Sequence, residues 1–313
     1  MSKNRTRTGT ATRIRARIRT EAGVRRGLRR EAPSTVGLLA DPEDFAAMRG
    51  YRSFAFEDHR EYLGHVDALL KSLAAEGIHT TVTLFDPEEY AHYCAETGLD
   101  PDTPEARTRF TAEPAGAGAG LPYAGQPIGE LIPLLVEEAV RQATWEYATL
   151  LLAGLGRCAE CGEDIGRACF EQAGRVLRQL LAGAGPGHHH LVCSVPAEEE
   201  HLVAVLHADT GDAQAPPGSP PRLHDRDGAD FRTVLAAGLA PGTTGGLVLR
   251  SSGGGLPDRV HGWRLAHGTL VPLSAAEVFN AYCTDADTGE PVAPEPDVEY
   301  CPGYRIDIPH PHH

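Results

Sequence analysis

The chain has 313 residues, of which 41% are hydrophobic, and a formal net charge of −14 at pH 7. No stretch approaches the roughly 20 apolar residues of a membrane span, and the basic N-terminus is not followed by the apolar segment of a secretory signal. These features argue against a membrane-spanning or secreted protein, and they predict a cytoplasmic protein whose seven cysteines are reduced.

The charge is divided unevenly along the chain. Residues 1–30 hold 11 of the 29 basic residues and one of the 43 acidic residues, so the remainder, with 18 basic and 42 acidic residues, is strongly acidic. An acidic body repels nucleic acid phosphates. We therefore expect residues 1–33 to be a disordered basic tail, and only this tail could attract nucleic acid or a membrane surface. Translated sequence upstream of the true start is the simpler interpretation of this tail.

Residues 34–112 are predicted to form a small α/β unit. Two segments rich in β-branched and apolar residues, Thr35–Ala40 and Thr80–Phe85, are expected to be strands. Helical patterns follow both strands, and the order strand, helix, helix, strand, helix predicts that the two strands are parallel. Residues 113–127 contain a run of alternating glycine and alanine and are predicted to be a linker.

An aspartate directly follows each predicted strand of this unit. Asp41 and Asp86 would lie at the carboxyl ends of parallel strands, which is the edge where open α/β sheets bind ligands. Two carboxylates there could hold a magnesium ion for phosphate chemistry. Each aspartate is also followed by proline and an acid, which is the pattern of a helix N-cap. Capping explains all three residues, so we expect Asp41 and Asp86 to be caps and only weak catalytic candidates.

Residues 128–182 are predicted to be two helices that bridge the N-terminal and C-terminal parts of the chain. Both segments repeat apolar residues at the three- and four-residue spacing of a buried helical stripe. Between them lies Arg157–Asp164, which contains a C-x-x-C sequence.

Two cysteines at this spacing can supply half of a tetrahedral zinc site. Cys158 and Cys161 would need two more ligands, for which Cys283 and Cys301 are the first choice and the histidines at 188–190 the second. The alternatives are a turn with two ordinary thiols and a redox pair. The redox pair is disfavoured because no strand precedes the motif, as a thioredoxin-like site requires.

The C-terminal part is predicted to be mostly antiparallel sheet. Within residues 188–283, the segments His190–Val195 and His201–His207 are predicted to form an antiparallel hairpin, followed by further strands and a closing helix. Phe231–Leu239 fits either a helix or a strand. Residues 284–313 are rich in proline and acids and are predicted to be an extended tail.

Two resemblances add to this interpretation. Phe85–Tyr90, Cys158–Gly166 and Val260–Leu265 resemble segments of hypothetical proteins from GC-rich actinomycetes, over about residues 34–301. This resemblance implies a cytoplasmic actinomycete protein and no particular activity. The predicted element order of residues 164–282 is similar to GAF-like and roadblock-like sensor or scaffold domains, and a shared fold does not fix function.

The sequence therefore predicts an α/β protein, α+β overall, with two lobes. No complete catalytic motif is present in the sequence. The leading hypothesis is a non-enzymatic regulatory or interaction protein whose partner is another protein. A structural zinc ion could stabilise its fold. One alternative is a metal-dependent enzyme acting on a phosphorylated or nucleotide substrate at the Asp41/Asp86 edge. The other is a small-molecule sensor that uses the C-terminal sheet.

Overall fold

The computed structural model describes residues 34–117, 120–197, 201–211, 222–223, 225–253, 257–285 and 288–307. The chain forms an α+β structure, as predicted, and its described residues fall into two compact units that divide between Val140 and Arg141. The predicted tail at 1–33 lies outside the described residues. None of the described helices is long and apolar enough to cross a membrane.

The first unit contains a three-stranded sheet of β1 (Ser34–Leu38), β2 (Thr80–Leu84) and β3 (Leu121–Pro122), in that order. Strands β1 and β2 are parallel, and β3 is antiparallel to β2. The helices are α1 (Pro42–Met48), α2 (His59–Ala75), α3 (Pro87–Thr97) and α4 (Pro104–Ala117). The predicted strand, helix, helix, strand, helix order and the parallel pairing are confirmed.

The prediction that 113–127 is a linker was wrong for residues 113–117 and 121–122. Helix α4 continues through Ala117, and β3 adds a strand to the sheet. The helix starts after Thr103, whose Oγ1 accepts a 3.3 Å hydrogen bond from the Ala106 backbone N–H. Ala106 and Phe110 are buried at helical spacing, so tertiary packing outweighs the low helix propensity of the glycine-rich end.

Aromatic side chains dominate the core of the first unit. Phe45, Tyr62, Phe85, Tyr90 and Phe110 are each at least 93% buried. Phe45 packs on Tyr62, and Phe85, Tyr90 and Phe110 pack on one another, with ring centroids 5.1–5.6 Å apart. Such pairs stabilise a core beyond the area that they bury.

Two long helices follow, and the boundary between the units falls within the first of them. These helices are α5 (Ile128–Gly154) and α6 (Ile165–Ala184), which confirms the predicted pair. Within the second unit, α6 lies very close to the end of α5, because a Cβ at Gly166 would be 2.4 Å from the Leu152 carbonyl oxygen. Only glycine permits this approach.

The second unit is built on a seven-stranded sheet. Its strands are β4 (Gly187–Pro196), β5 (His201–Thr210), β6 (Arg222–Leu223), β7 (Thr244–Ser252), β8 (Asp258–Ala266), β9 (Thr269–Pro272) and β10 (Val298–Tyr300). The order is β10-β8-β7-β4-β5-β6, with β9 also paired to β8. The predicted hairpin is confirmed as β4 and β5. The ambiguous segment is a helix, α7 (Asp225–Gly238), and the chain also contains the predicted closing helix, α8 (Ala275–Tyr282).

One face of this sheet forms the core of the second unit. Alternate strand residues such as Leu191, Leu206, Leu249 and Trp263 are fully buried, and they belong to one cluster with apolar residues of α6 and α7. The alternation follows from the two-residue period of a strand.

The prediction that residues 284–313 are an extended tail was wrong for residues 298–306. Strand β10 pairs in parallel with β8, and Ile306 is buried. The Tyr304 hydroxyl donates a hydrogen bond to the Leu180 carbonyl of α6, and the Tyr304 carbonyl accepts a 2.8 Å bond from Trp263 Nε1. The segment is therefore part of the core, although its content of proline and charged residues is typical of an extended tail.

Truncation of Tyr304 tests this structural role. We expect Tyr304→Ala to lower the free energy of unfolding by roughly 2–3 kcal/mol, somewhat less than for a fully buried aromatic residue, because Tyr304 is half-buried against Trp263. Tyr304→Phe, which loses only the hydroxyl, should cost about 1 kcal/mol. Urea unfolding would measure both losses. Arg305→Ala is the matched control, since that side chain is 89% exposed, and an equal loss there would contradict the assignment.

Candidate functional site

The strand edge of the first unit presents the two aspartates as helix caps. Asp41 Oδ1 accepts a 2.6 Å hydrogen bond from the Glu43 backbone N–H. Asp86 Oδ1 accepts bonds of 2.8 and 3.1 Å from the N–H groups of Glu88 and Glu89. Each carboxylate thus satisfies the first turn of its own helix, as the capping interpretation predicts.

The carboxylates at this edge nevertheless lie close enough to interact. The pKa of Asp44 is raised by partial burial, and then by the negative charges of Asp86, Asp41 and Glu43. This concentration of negative charge would attract a cation. The described residues, however, contain no group of three or more His, Cys, Asp or Glu side chains that could hold a metal ion.

The C-x-x-C loop between α5 and α6 is a tight turn at the surface. Its ends are joined by an antiparallel bridge between Arg157 and Asp164. Inside this bridge, the Cys158 N–H donates to the Glu163 carbonyl at 2.8 Å, and the Gly162 N–H donates to the Cys158 carbonyl at 2.9 Å. Gly162 has a φ of 73°, a conformation that favours glycine.

The turn brings the two thiols together. Hydrogen bonds from the backbone N–H groups of Cys161 and Glu160, and then from the Cys161 side chain, lower the pKa of Cys158. Cys161 is exposed and Cys158 is partly exposed. A thiol with a lowered pKa and access to solvent is suited to bind metal or to react.

The other two cysteines predicted for this site have different neighbours. The Cys283 thiol is buried and donates a 3.4 Å hydrogen bond to the Tyr300 hydroxyl. The Cys301 thiol lies 3.8 Å from the Glu299 carbonyl. Within the described ranges no third ligand joins Cys158 and Cys161. The four-cysteine zinc site within one chain stays a prediction that this arrangement does not support.

A second surface feature, which the sequence analysis missed, is the face of the second unit's sheet opposite its core. We call it the open face. Its members are His190, Val192, Val203, Val205, His207 and Val248. Val203 and Val205 are 46% and 42% exposed. The cross-strand pairs Val192–Val205 and Val192–Val248 make a continuous apolar strip across three strands.

Two histidines extend this strip along β4 and β5. The rings of His190 and His207 stack with centroids 4.6 Å apart and an interplanar angle of 17°. The pKa of His190 is lowered by partial burial, and then by the charges of His207 and Arg250. His190 is therefore uncharged at neutral pH and belongs to the apolar strip. Asp209, two residues beyond His207 on the same face of β5, binds His188 at 2.6 Å.

Arg250 marks the boundary between the open face and the covered part of the same sheet surface. Its guanidinium binds Asp258 at 2.8 Å, Glu295 at 2.9 Å and the Tyr282 hydroxyl at 3.2 Å. Beyond it, helix α8 covers β8, where a Cβ at Gly262 would be 3.1 Å from Val278. The network ties α8 and the following segment to the sheet beside the open face.

A buried histidine on the core side of β4 fixes the end of α6. His189 is 3% exposed. Its Nε2 lies 3.0 Å from the Gly185 carbonyl and 2.7 Å from Thr210 Oγ1, and its Nδ1 lies 2.9 Å from Ser251 Oγ. A carbonyl only accepts, so Nε2 carries the hydrogen and Nδ1 accepts from the serine hydroxyl. The serine and histidine are both buried, which favours a structural role for the pair.

The comparisons with known proteins reach only the first unit. A family model described as a domain of unknown function (DUF8829) matches residues 23–126, about a third of the chain. The match includes all three strands of the first sheet, ends just before α5, and begins within the predicted tail. No curated protein and no solved structure matches the chain. The resemblance to an uncharacterised family is thus supported over residues 23–126, and the likeness to GAF-like and roadblock-like domains stays a prediction.

The capping role of Asp86 can be tested by comparing two substitutions. Asparagine is itself a good cap, so Asp86→Asn should cost only a few tenths of a kcal/mol in unfolding free energy, whereas Asp86→Ala should cost roughly 1 kcal/mol. Denaturant unfolding would measure both, with Glu88→Ala as an exposed control. Equal losses for the asparagine and alanine variants would contradict capping and point to the charge itself.

The lowered pKa of His189 predicts a pH-dependent stability. Burial is the largest cause of the shift from 6.5, opposed by the Gly185 carbonyl and Asp209. Below pH 6.5 the unfolded state therefore takes up the proton first, so stability should fall as the pH decreases toward the folded pKa. His189→Gln should lose less stability over this window, relative to its own value at pH 8. Identical pH slopes in the two proteins would refute the prediction.

Proposed function

We propose that this protein is a non-enzymatic regulatory or interaction protein, and that the open face is where it binds a partner. The partner surface that fits is an apolar segment of another protein, flanked by few acidic residues because the body of this chain is itself acidic. We infer that the protein works in the cytoplasm, and the actinomycete origin implied by its resemblance belongs to the same proposal.

The observation that carries the proposal is the unequal covering of one sheet. The core face of β4, β5 and β7 is buried by helices, while the valines on the opposite face remain partly exposed across three adjacent strands. Contiguous exposed apolar surface is uncommon on a soluble monomer and typically marks a contact with a partner. Isolated exposed valines would carry no such meaning.

The electrostatics of the open face support a protein partner. Outside residues 1–30 the chain has far more acids than bases, yet none of the six residues of the open face is acidic. Asp209 lies beyond His207 on the same side of β5, where it pairs with His188, and Asp258 pairs with Arg250. An uncharged centre surrounded by charged residues is the usual composition of a protein interface.

The alternative functions have weaker support. An enzyme at the Asp41/Asp86 edge would need carboxylates free for a metal or substrate, but both accept hydrogen bonds from their own helices. A small-molecule sensor would need a concave cradle, whereas the open face is a sheet surface. Nucleic acid binding would have to come from the basic tail.

Photo-cross-linking from the open face would test the proposal. A benzophenone amino acid at Val205 should form an adduct with a polypeptide partner in cells, while the same group at Val292 should not. Val292 is the matched control, because it is 49% exposed and lies outside the open face. An adduct with a small molecule would instead favour the sensor alternative, and the absence of any adduct specific to Val205 would overturn the proposal.

Affinity measurements with the purified partner would then quantify the contact. Val205→Asp should weaken binding by tenfold or more, which corresponds to about 1.4 kcal/mol or more, because it places a charge in an apolar contact. Val205→Thr keeps the branched shape suited to a strand and should weaken binding less, and Val292→Asp should have no effect. Unchanged affinity for Val205→Asp in a folded variant would contradict the assignment of the open face.

A further inference from the structure

The turn between α5 and α6 has the form of half a metal site. The Arg157–Asp164 bridge and the two hydrogen bonds within it fix the backbone around Cys158 and Cys161. Cys161 is exposed and Cys158 is partly exposed on this turn. A turn held by its own backbone hydrogen bonds, with two accessible thiols three positions apart, can supply two of the four ligands of a tetrahedral zinc ion.

The remaining ligands of such a site do not come from the described part of the same chain. No third His, Cys, Asp or Glu joins the pair there. Cys283 is buried beside Tyr300, while Cys161 is exposed. Zinc in a structural site takes four ligands in a tetrahedral arrangement. An exposed turn that supplies two of them can reach the other two on a second molecule.

We propose that Cys158 and Cys161 bind a zinc ion together with Cys158 and Cys161 of a second copy of this chain. The ion is then coordinated by four thiolate sulfurs, two from each copy. On binding, the four thiols release four protons to the solvent and four zinc–sulfur bonds form, with no change in oxidation state. The site is incomplete in one chain and complete in a pair.

One feature of the surroundings agrees with a contact between two copies at this turn. On the last turns of α5, Leu150 and Leu151 are 68% and 39% exposed. A second copy held at the neighbouring turn would shield these leucines from water, which favours association once zinc is bound.

Zinc titration of the reduced full-length protein would test the proposal. Metal analysis and light scattering after gel filtration should show one zinc ion per two chains and a doubled mass, reversed by a chelator. Co²⁺ in place of zinc should give the absorption of a tetrahedral site with four thiolates. Cys158→Ser and Cys161→Ser should each abolish the zinc-dependent doubling while leaving the far-ultraviolet circular dichroism unchanged, because the turn is at the surface.

Two control variants separate this site from its competitors. Cys301→Ser should bind zinc and double in mass like the wild type, and so should a chain that ends at Asp307 and lacks the final histidines. Loss of zinc in either variant, or one zinc ion per chain with unchanged mass, would show that the ligands come from the same chain and would overturn the proposal. Failure of the reduced wild-type protein to bind zinc or cobalt would overturn it as well.

Discussion

Burial of a single face of the seven-stranded sheet is the constraint on which the second unit depends. Because side chains alternate along a strand, the pattern that places Leu191, Leu206 and Leu249 under α6 and α7 also fixes what the other face presents. Helices α6 and α7 cover only this face, whereas on the opposite face α8 packs against β8, with which β10 pairs as a further strand of the sheet. The valines and histidines of β4, β5 and β7 remain on the surface as a result.

The second constraint is that the C-terminal segment completes the core of the second unit. Tyr304 packs edge-to-face on Trp263, with ring centroids 4.9 Å apart, and its backbone satisfies the buried indole N–H. Gly183 on α6 makes room for the ring, since a Cβ there would be 2.3 Å from Tyr304. These contacts join Tyr304 to residues 41 and more than 100 positions earlier in the sequence, so local pattern cannot reveal them.

The elements that the sequence predicted correctly are those with a strong local signal. The helices that follow Asp41 and Asp86 could be predicted because the cap, the proline and the following acid lie within four consecutive residues. The hairpin of β4 and β5 follows from alternation alone. The helix α4 and the strand β10 were missed because their stability comes from distant partners, Phe85 for Phe110 and Val260 for Tyr300.

The two candidate sites also differ in how much of each the sequence could predict. The C-x-x-C pair is visible as a motif. How many further metal ligands the same chain supplies depends on tertiary contacts, which the spacing of residues in the sequence does not reveal. The open face could have been found from the alternation in His201–His207, where valine and histidine occupy the positions opposite the buried ones. Recognising it required the strand order, because a patch exists only when Val192, Val205 and Val248 are neighbours on adjacent strands.

The short strand β6 has a consequence for solubility. It pairs with β5 only at Ala208 and Asp209, whereas β5 is ten residues long. From His201 to Ala208 this strand carries no Lys, Arg, Asp or Glu and no proline, which is the composition of segments that form intermolecular cross-β structure when they are exposed. The surplus of acidic residues elsewhere keeps copies of the protein apart, and salt weakens that repulsion. Resistance to aggregation in this protein therefore depends more on its net negative charge than on covering or charging of the β5 edge.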